Sequence, residues 1–132
     1  MILGQTTETF GSDDQSWLGS AHGTDSTETI SLDTSTFTAN THYPDGYFKS
    51  GIPLGAITAT PGKYGPYDNA ASDGRQTLVG FLYAAVKAPT VNTVDPSAAM
   101  LTHGKVRESR LPSGITVDAA GKADVAGAIR FV

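Results

Sequence analysis

The sequence predicts a mainly β protein that consists of one compact domain, an extended N-terminal arm and at most one short helix. Glycine and proline are frequent, at 15 and 7 of the 132 residues, and they interrupt short apolar runs. This punctuation is typical of strands joined by turns. A chain of this length fits one domain with a modest core. We therefore assign residues 1–28 to the arm and residues 29–132 to a single β-rich domain.

The predicted arm is rich in Thr, Ser, Gly, Asp and Gln, and its few large apolar residues include Phe10, Trp17 and Leu18. These are too few to offset an ordering cost of about 1 kcal/mol or more per residue. Two interpretations remain: a solvating tail, or an arm that becomes ordered on a partner surface. Trp17 and Leu18 favour the second, because an exposed indole is typical of binding sites.

The next segment, ETISLDTSTF, combines Ile30 and Leu32 with β-branched Thr. This pattern predicts an extended strand at the edge of the domain. Ile30 and Leu32 are therefore added to the candidate partner-binding residues of the arm. Pro44, Asp45 and Gly46 then predict a turn.

Residues 51–86 predict two apolar strands joined by a long, ordered loop. Gly62, Gly65, Pro66 and Gly74 lie between the apolar runs and indicate turns. The predicted core residues of this unit are Ile52, Leu54, Ile57, Leu78, Val79, Phe81 and Leu82.

The C-terminal third predicts one or two strands around Met100 and Val106, with a turn at His103-Gly104. A weak helix follows within residues 118–127, where each glycine costs about 1 kcal/mol in a helix interior. The last residues, 128–132, predict a closing strand.

Charge is distributed unevenly along the chain. Residues 1–48 contain seven acidic residues and no Lys or Arg, whereas residues 49–132 contain six acidic and nine basic residues, so a formal charge of −7 precedes one of +3. The chain contains no cysteine, so it has neither a disulfide framework nor a thiolate zinc site. We find no signal peptide and no apolar run of about 18 residues, which favours synthesis in a cytoplasm and no membrane partner.

No segment predicts a catalytic, cofactor or metal site. His22, His42 and His103 lack metal-ligand spacing, and Gly19 to Gly23, GSAHG, lacks the strand and helix that flank a nucleophilic serine. The basic segment 105–110 predicts a solvated strand face or a contact with an acidic protein. Nucleic acid is a weaker interpretation, because the whole chain is acidic, with a pI of about 5.1.

Four motifs, IPLGAITAT, KYGPYD, AASDGR and LVGFLYAAV, resemble the head decoration proteins of bacteriophages. The resemblance covers roughly a quarter of the chain. It implies a non-enzymatic structural protein with a compact body of the type called a β-tulip. Relatives often have an Ala- and Leu-rich helical segment near the carboxyl end, whereas residues 118–127 are short and interrupted by glycine.

The resemblance further implies a homotrimer that binds the outer surface of the mature capsid at three-fold and quasi-three-fold positions. There it clamps adjacent major capsid proteins against internal DNA pressure, with no cofactor and no nucleic-acid partner. The N-terminal arm is expected to lie along the capsid and add a strand to a sheet. An alternative is a virion surface module that binds host glycans or cell-surface proteins, for which Tyr43, Tyr64 and Tyr67 offer stacking platforms.

Overall fold

The computed structural model describes residues 14–132, and within them β-strands dominate. The strands are β1 (Glu28–Leu32), β2 (Tyr47–Phe48), β3 (Pro53–Ala56), β4 (Lys63–Pro66), β5 (Gly80–Leu82), β6 (Val86–Lys87), β7 (Ser97–Leu101), β8 (Gly104–Val106) and β9 (Ile129–Phe131). The α-helices are α1 (Ala39–His42) and α2 (Ala119–Asp124). The mainly β class is confirmed. The described residues contain two short helices where the sequence predicted at most one, and the likeness to a β-tulip stays a prediction.

Five strands close into a barrel in the order β1, β4, β3, β5 and β7, and β7 pairs again with β1. The β1–β4 pairing is parallel, while the other four pairings are antiparallel. Closure of the barrel pairs the backbone N–H and C=O groups that the edge strands of an open sheet would leave unpaired. Gly80 permits a close approach within this barrel, because a Cβ on it would lie 2.5 Å from the Leu101 carbonyl oxygen.

β1 lies inside this closed arrangement and is not an edge strand. Ile30 pairs with Ala98 of β7, and Leu32 pairs with Tyr64 of β4. The prediction of an edge position is therefore wrong. The polar residues that alternate with Ile30 and Leu32 face outward from a barrel, so they resemble the exposed face of an edge strand in the sequence.

The predicted long loop between two strands contains a third strand, β4. β3 does pair with β5, as a two-strand unit requires, but β3 also forms a hairpin with β4. Gly65 and Pro66 made this segment resemble a turn, although Gly65 pairs with Gly55 across the hairpin. Through β4 the hairpin reaches β1 and closes the barrel.

Alternate side chains of the barrel strands form an apolar cluster that we call the barrel core. Adjacent residues of a strand point to opposite faces, so Leu82 joins this core while Phe81 does not. The buried members are Ile30, Leu32, Phe37, Phe48, Ile52, Leu54, Leu82 and Met100.

A second cluster, the outer core, covers the opposite face of β5 and β7. It joins Phe81 and Leu101 of those strands to residues from both ends of the chain. Its buried members are Trp17, Leu78, Phe81, Leu101, Val106, Leu111, Val117, Val125 and Ile129. Both faces of these two barrel strands are therefore buried in apolar surroundings.

The predicted core residues fall into these surroundings. Leu78 and Phe81 are buried in the outer core, and Val79 is a half-buried side chain packed against the barrel core. Ile52, Leu54 and Leu82 are buried in the barrel core, and Ile57 is buried as well.

The C-terminal unit is a parallel pair, β8 and β9, connected by α2. Asp118 begins α2 as its N-cap, and its carboxylate accepts a hydrogen bond from the Gly121 N–H at 2.9 Å. Val125 and Ile129 anchor the unit on the outer core. Neither helix found in residues 14–132 has the length and apolar character that a membrane span requires.

Candidate interaction surfaces

Residues 14–27, which we call the N-terminal strap, pack along β8 and belong to the folded body. Leu18 forms a bridge with Val106. The Gly19 N–H donates to the Lys105 carbonyl at 2.8 Å, and the Arg107 N–H donates to the Trp17 carbonyl at 2.6 Å. The strap therefore pairs with β8 through a single antiparallel bridge, on the side opposite β9.

Trp17 fixes the strap to the outer core. Its side chain is 0% exposed and its ring centroid lies 5.8 Å from that of Phe81. The indole Nε1 donates to Ser50 Oγ at 2.9 Å, and Ser50 Oγ donates in turn to the Tyr83 carbonyl at 2.7 Å. Gln15 Nε2 also donates to that carbonyl, at 2.7 Å. The polar atom of this buried tryptophan is thus satisfied inside the body.

The candidate partner-binding residues of the arm have different positions from those expected. Trp17, Ile30 and Leu32 are buried side chains, and Leu18 is half-buried against the outer core. This corrects the assignment of residues 14–28 to a detached arm. The physical reason is that long-range partners supply what the segment lacks by itself: Phe81 and Val106 share its apolar cluster, and Ser50 accepts the indole hydrogen bond. Phe10 lies outside the described residues.

A cavity of about 350 Å³ lies where the strap begins. Asp14 lines it together with Tyr47, Lys49 and Arg110, so acidic and basic side chains share its rim. The residues N-terminal to Asp14 are covalently attached to the body at this point. The cavity therefore marks the place where the acidic N-terminal segment meets the folded domain.

A groove of about 220 Å³, which we call the basic groove, lies between the strap and the C-terminal sheet. Lys105 of β8 and Arg130 of β9 line it and are direct partners in the β8–β9 register. Ser20 and His22 of the strap also line it. The sequence located Lys105 in a basic segment, but Arg130 is distant in the chain and only the parallel pairing brings the two together.

Tyr67 and α2 are connected by a short hydrogen bond. The Tyr67 hydroxyl donates to Asp118 Oδ1 at 2.6 Å. This bond, with the Gly121 N–H, lowers the pKa of Asp118, while burial and the adjacent carboxylates raise the pKa of Tyr67. The Leu78 N–H donates to Asp124 Oδ2 at 3.0 Å. These contacts attach α2 to the barrel and indicate a structural role for this acidic cluster.

The three tyrosines considered for glycan stacking all take part in packing. Tyr43 contacts Phe48 edge-on, with ring centroids 5.0 Å apart, and Tyr64 packs on the barrel core. Tyr67 packs on the outer core in addition to its bond with Asp118. Tyr67 therefore packs on a different core from Tyr43 and Tyr64.

The histidines lie in different environments. His22 and His103 have ring centroids 6.4 Å apart on neighbouring loops. Burial lowers the pKa of His42, whose Nδ1 accepts the Thr38 N–H at 2.8 Å. Within residues 14–132, no three His, Cys, Asp or Glu side chains are grouped so as to hold a metal ion.

Comparison with known proteins identifies the family of this fold. The family model described as bacteriophage lambda head decoration protein D matches residues 14–129, which include the strap, the barrel, β8 and α2 and end at the first residue of β9. Searches of curated proteins and of solved structures gave no significant match. The match covers most of the chain and confirms the resemblance carried by the four motifs. The chain belongs to the family of the bacteriophage lambda head decoration protein D.

Proposed function

We propose that this chain binds the outer surface of the mature phage capsid as a homotrimer at three-fold and quasi-three-fold positions. There it clamps adjacent major capsid proteins and stabilises the head against internal DNA pressure, without enzymatic activity. The observation that carries the proposal is the family match over residues 14–129. A head decoration family implies a structural role on the capsid.

We assign docking to the segment before the strap, residues 1–13, which includes Phe10. Two observations support this assignment. The large apolar side chains of the strap and of β1 are committed to the body, and the segment is attached at the rim of the cavity beside Asp14. Its polar, Thr-containing sequence is compatible with strand addition, which depends on backbone hydrogen bonds.

Trimerisation would strengthen such docking by multivalency. Once one arm of a trimer is bound, its companions experience a high effective concentration of capsid sites. Arms with low individual affinity then give stable decoration. Sedimentation of the free protein, compared with decorated heads, measures whether the trimer precedes or follows binding.

The clamp is tested by comparing heads with and without the protein. We expect undecorated, DNA-filled heads to release DNA at a lower temperature, or at a lower EDTA concentration, than decorated heads. Empty expanded heads, which contain no internal DNA pressure, serve as the control that shows whether heating or EDTA by itself disassembles the shell. Equal DNA release from both kinds of filled head would contradict the stabilising role.

The docking segment is tested by deleting residues 2–13, which leaves Trp17 and the strap intact. We expect an unchanged thermal midpoint and an affinity for heads reduced by more than about tenfold, because the backbone pairing is lost. Deletion through residue 28 is the comparison, and it should also unfold the outer core because it removes Trp17. Unchanged decoration by the shorter deletion would show that residues 1–13 are a solvating tail.

A further inference from the structure

The basic groove lies on a face where positive charge is unopposed. Lys105, Arg107 and Arg130 are all exposed, whereas Val106 between the first two is buried. Among residues 14–132, no carboxylate forms an ion pair with any of these three cations. Glu108, the nearest acid in sequence, pairs instead with Lys122 at 2.8 Å. An acidic protein thus presents a local cationic site.

The groove also contains a polar atom without a partner. Ser20 Oγ is buried and has no hydrogen-bond partner among the described residues. Buried hydroxyl groups are nearly always hydrogen-bonded, so an unsatisfied one indicates a missing partner. Ser20 lines the same groove as Lys105 and Arg130, so the strap side of the groove contains an unfilled hydrogen-bonding group.

The adjacent strand β9 has no partner among the described strands on its outer edge, where the Ile129 N–H is already bonded to the Val125 carbonyl at 2.8 Å. The Gly104 N–H donates to the Ala128 carbonyl, and the Val132 N–H donates to the Val106 carbonyl, so the even-numbered residues of this segment face β8. In a parallel ladder the backbone groups of Phe131 then point away from β8. The described strands place no partner on that side of β9. An extended peptide can pair with such an edge.

We propose that the basic groove and the outer edge of β9 together bind an acidic, extended segment of the capsid protein. Carboxylates of that segment would contact Lys105 and Arg130, and its backbone would pair with Phe131. The proposal rests on the proposed function, which supplies the capsid as the partner. It adds a second contact that is separate from residues 1–13.

A peptide fits this site better than a nucleic acid does. A peptide offers both backbone N–H and C=O groups to a strand edge, whereas a phosphodiester backbone offers only acceptors. The net charge of the chain is −4, which opposes the approach of a polyanion beyond the groove. A short acidic segment requires only the local cations.

The test compares Lys105→Gln/Arg130→Gln with wild type for binding to empty expanded heads. Both side chains are exposed, so the double variant should fold normally, which circular dichroism and thermal unfolding check. We expect its Kd for heads to rise about tenfold and the salt dependence of binding to become weaker. Lys87→Gln, on β6, is the control and should bind within about twofold of wild type.

The outcomes separate this inference from the proposed function. Failure of the wild-type protein to bind heads would overturn both, whereas wild-type binding with an unchanged Kd and salt dependence in the double variant would overturn only this inference. Competitors identify the ligand class. Release by a poly-glutamate peptide at lower charge concentration than by a single-stranded oligonucleotide supports the proposal, and the reverse order contradicts it.

Discussion

The barrel core and the outer core have similar apolar composition but are assembled from different parts of the chain. The barrel core draws its buried members from residues 30–100, on five strands and their connections. The outer core joins Trp17 near one end to Ile129 near the other, across the backs of β5 and β7. The comparison teaches that the N-terminal strap is part of the body, so that only the residues before it are left for a docking arm.

Truncating Trp17 tests whether the strap is part of the body, and of the proposed substitutions it should change the free energy of unfolding most. Trp17→Ala should lower the free energy of unfolding by about 3–5 kcal/mol, because it leaves a cavity in the outer core and removes a satisfied polar contact. Urea denaturation followed by circular dichroism measures it. Leu82→Ala, in the barrel core, should cost about 2–5 kcal/mol.

The number and slope of the urea unfolding transitions of these two variants then show whether the two cores unfold together. If the two cores unfold as one cooperative unit, both variants shift a single transition without a change in its slope. A separate early transition in Trp17→Ala alone would show that the strap unfolds independently. A loss of less than about 0.5 kcal/mol would contradict the packing role of Trp17, since that is the range of ordinary surface substitutions.

Loss of the hydrogen bond between Trp17 and Ser50 should lower the free energy of unfolding by less than truncation of Trp17 does. Ser50→Ala should lower the free energy of unfolding by about 1–3 kcal/mol, because it leaves the buried indole N–H without an acceptor. Trp17→Phe removes the donor, so adding Ser50→Ala to that background should cost less. Chemical denaturation of the four proteins in this cycle yields the coupling energy. Additive effects would show that the hydrogen bond does not join the strap to the barrel.

The sequence predicted the barrel core better than the outer core, for identifiable physical reasons. Leu54 and Leu82 lie in short apolar runs, a signal that persists whatever their partners are. β4 was not predicted, because Gly65 and Pro66 locally favour a turn. Pairing with β3 and β1 nevertheless makes this segment a strand. Trp17 is an isolated aromatic in a polar segment, so its burial depends on contacts distant in sequence.

In the candidate sites as well, residues marked by their sequence neighbours were predicted, whereas those brought together by tertiary contacts were not. Lys105 was evident from the basic segment around it, for which the sequence predicted a solvated strand face or a contact with an acidic protein. Arg130 was not, because its proximity to Lys105 arises from the parallel register of β8 and β9. The unsatisfied hydroxyl of Ser20 depends on the docking of the strap, which the sequence assigned to a detached arm.

Of these contacts, the one between α2 and the barrel should contribute least to the free energy of unfolding. Its contribution should also depend most on pH. The Tyr67 hydroxyl and the Gly121 N–H lower the pKa of Asp118, so folding favours its ionised form. Its contribution to stability is therefore present above the ordinary aspartate pKa of about 4 and is lost as the pH falls further. Asp118→Asn keeps an N-cap side chain and removes only the charge. Wild type should be more stable than this variant at neutral pH, and the difference should shrink progressively as the pH falls below the ordinary aspartate pKa, as measured by urea unfolding. Asp25→Asn, on the strap, controls for the change in net charge. A difference that persisted at low pH would assign the effect to hydrogen-bond geometry instead of to the carboxylate charge.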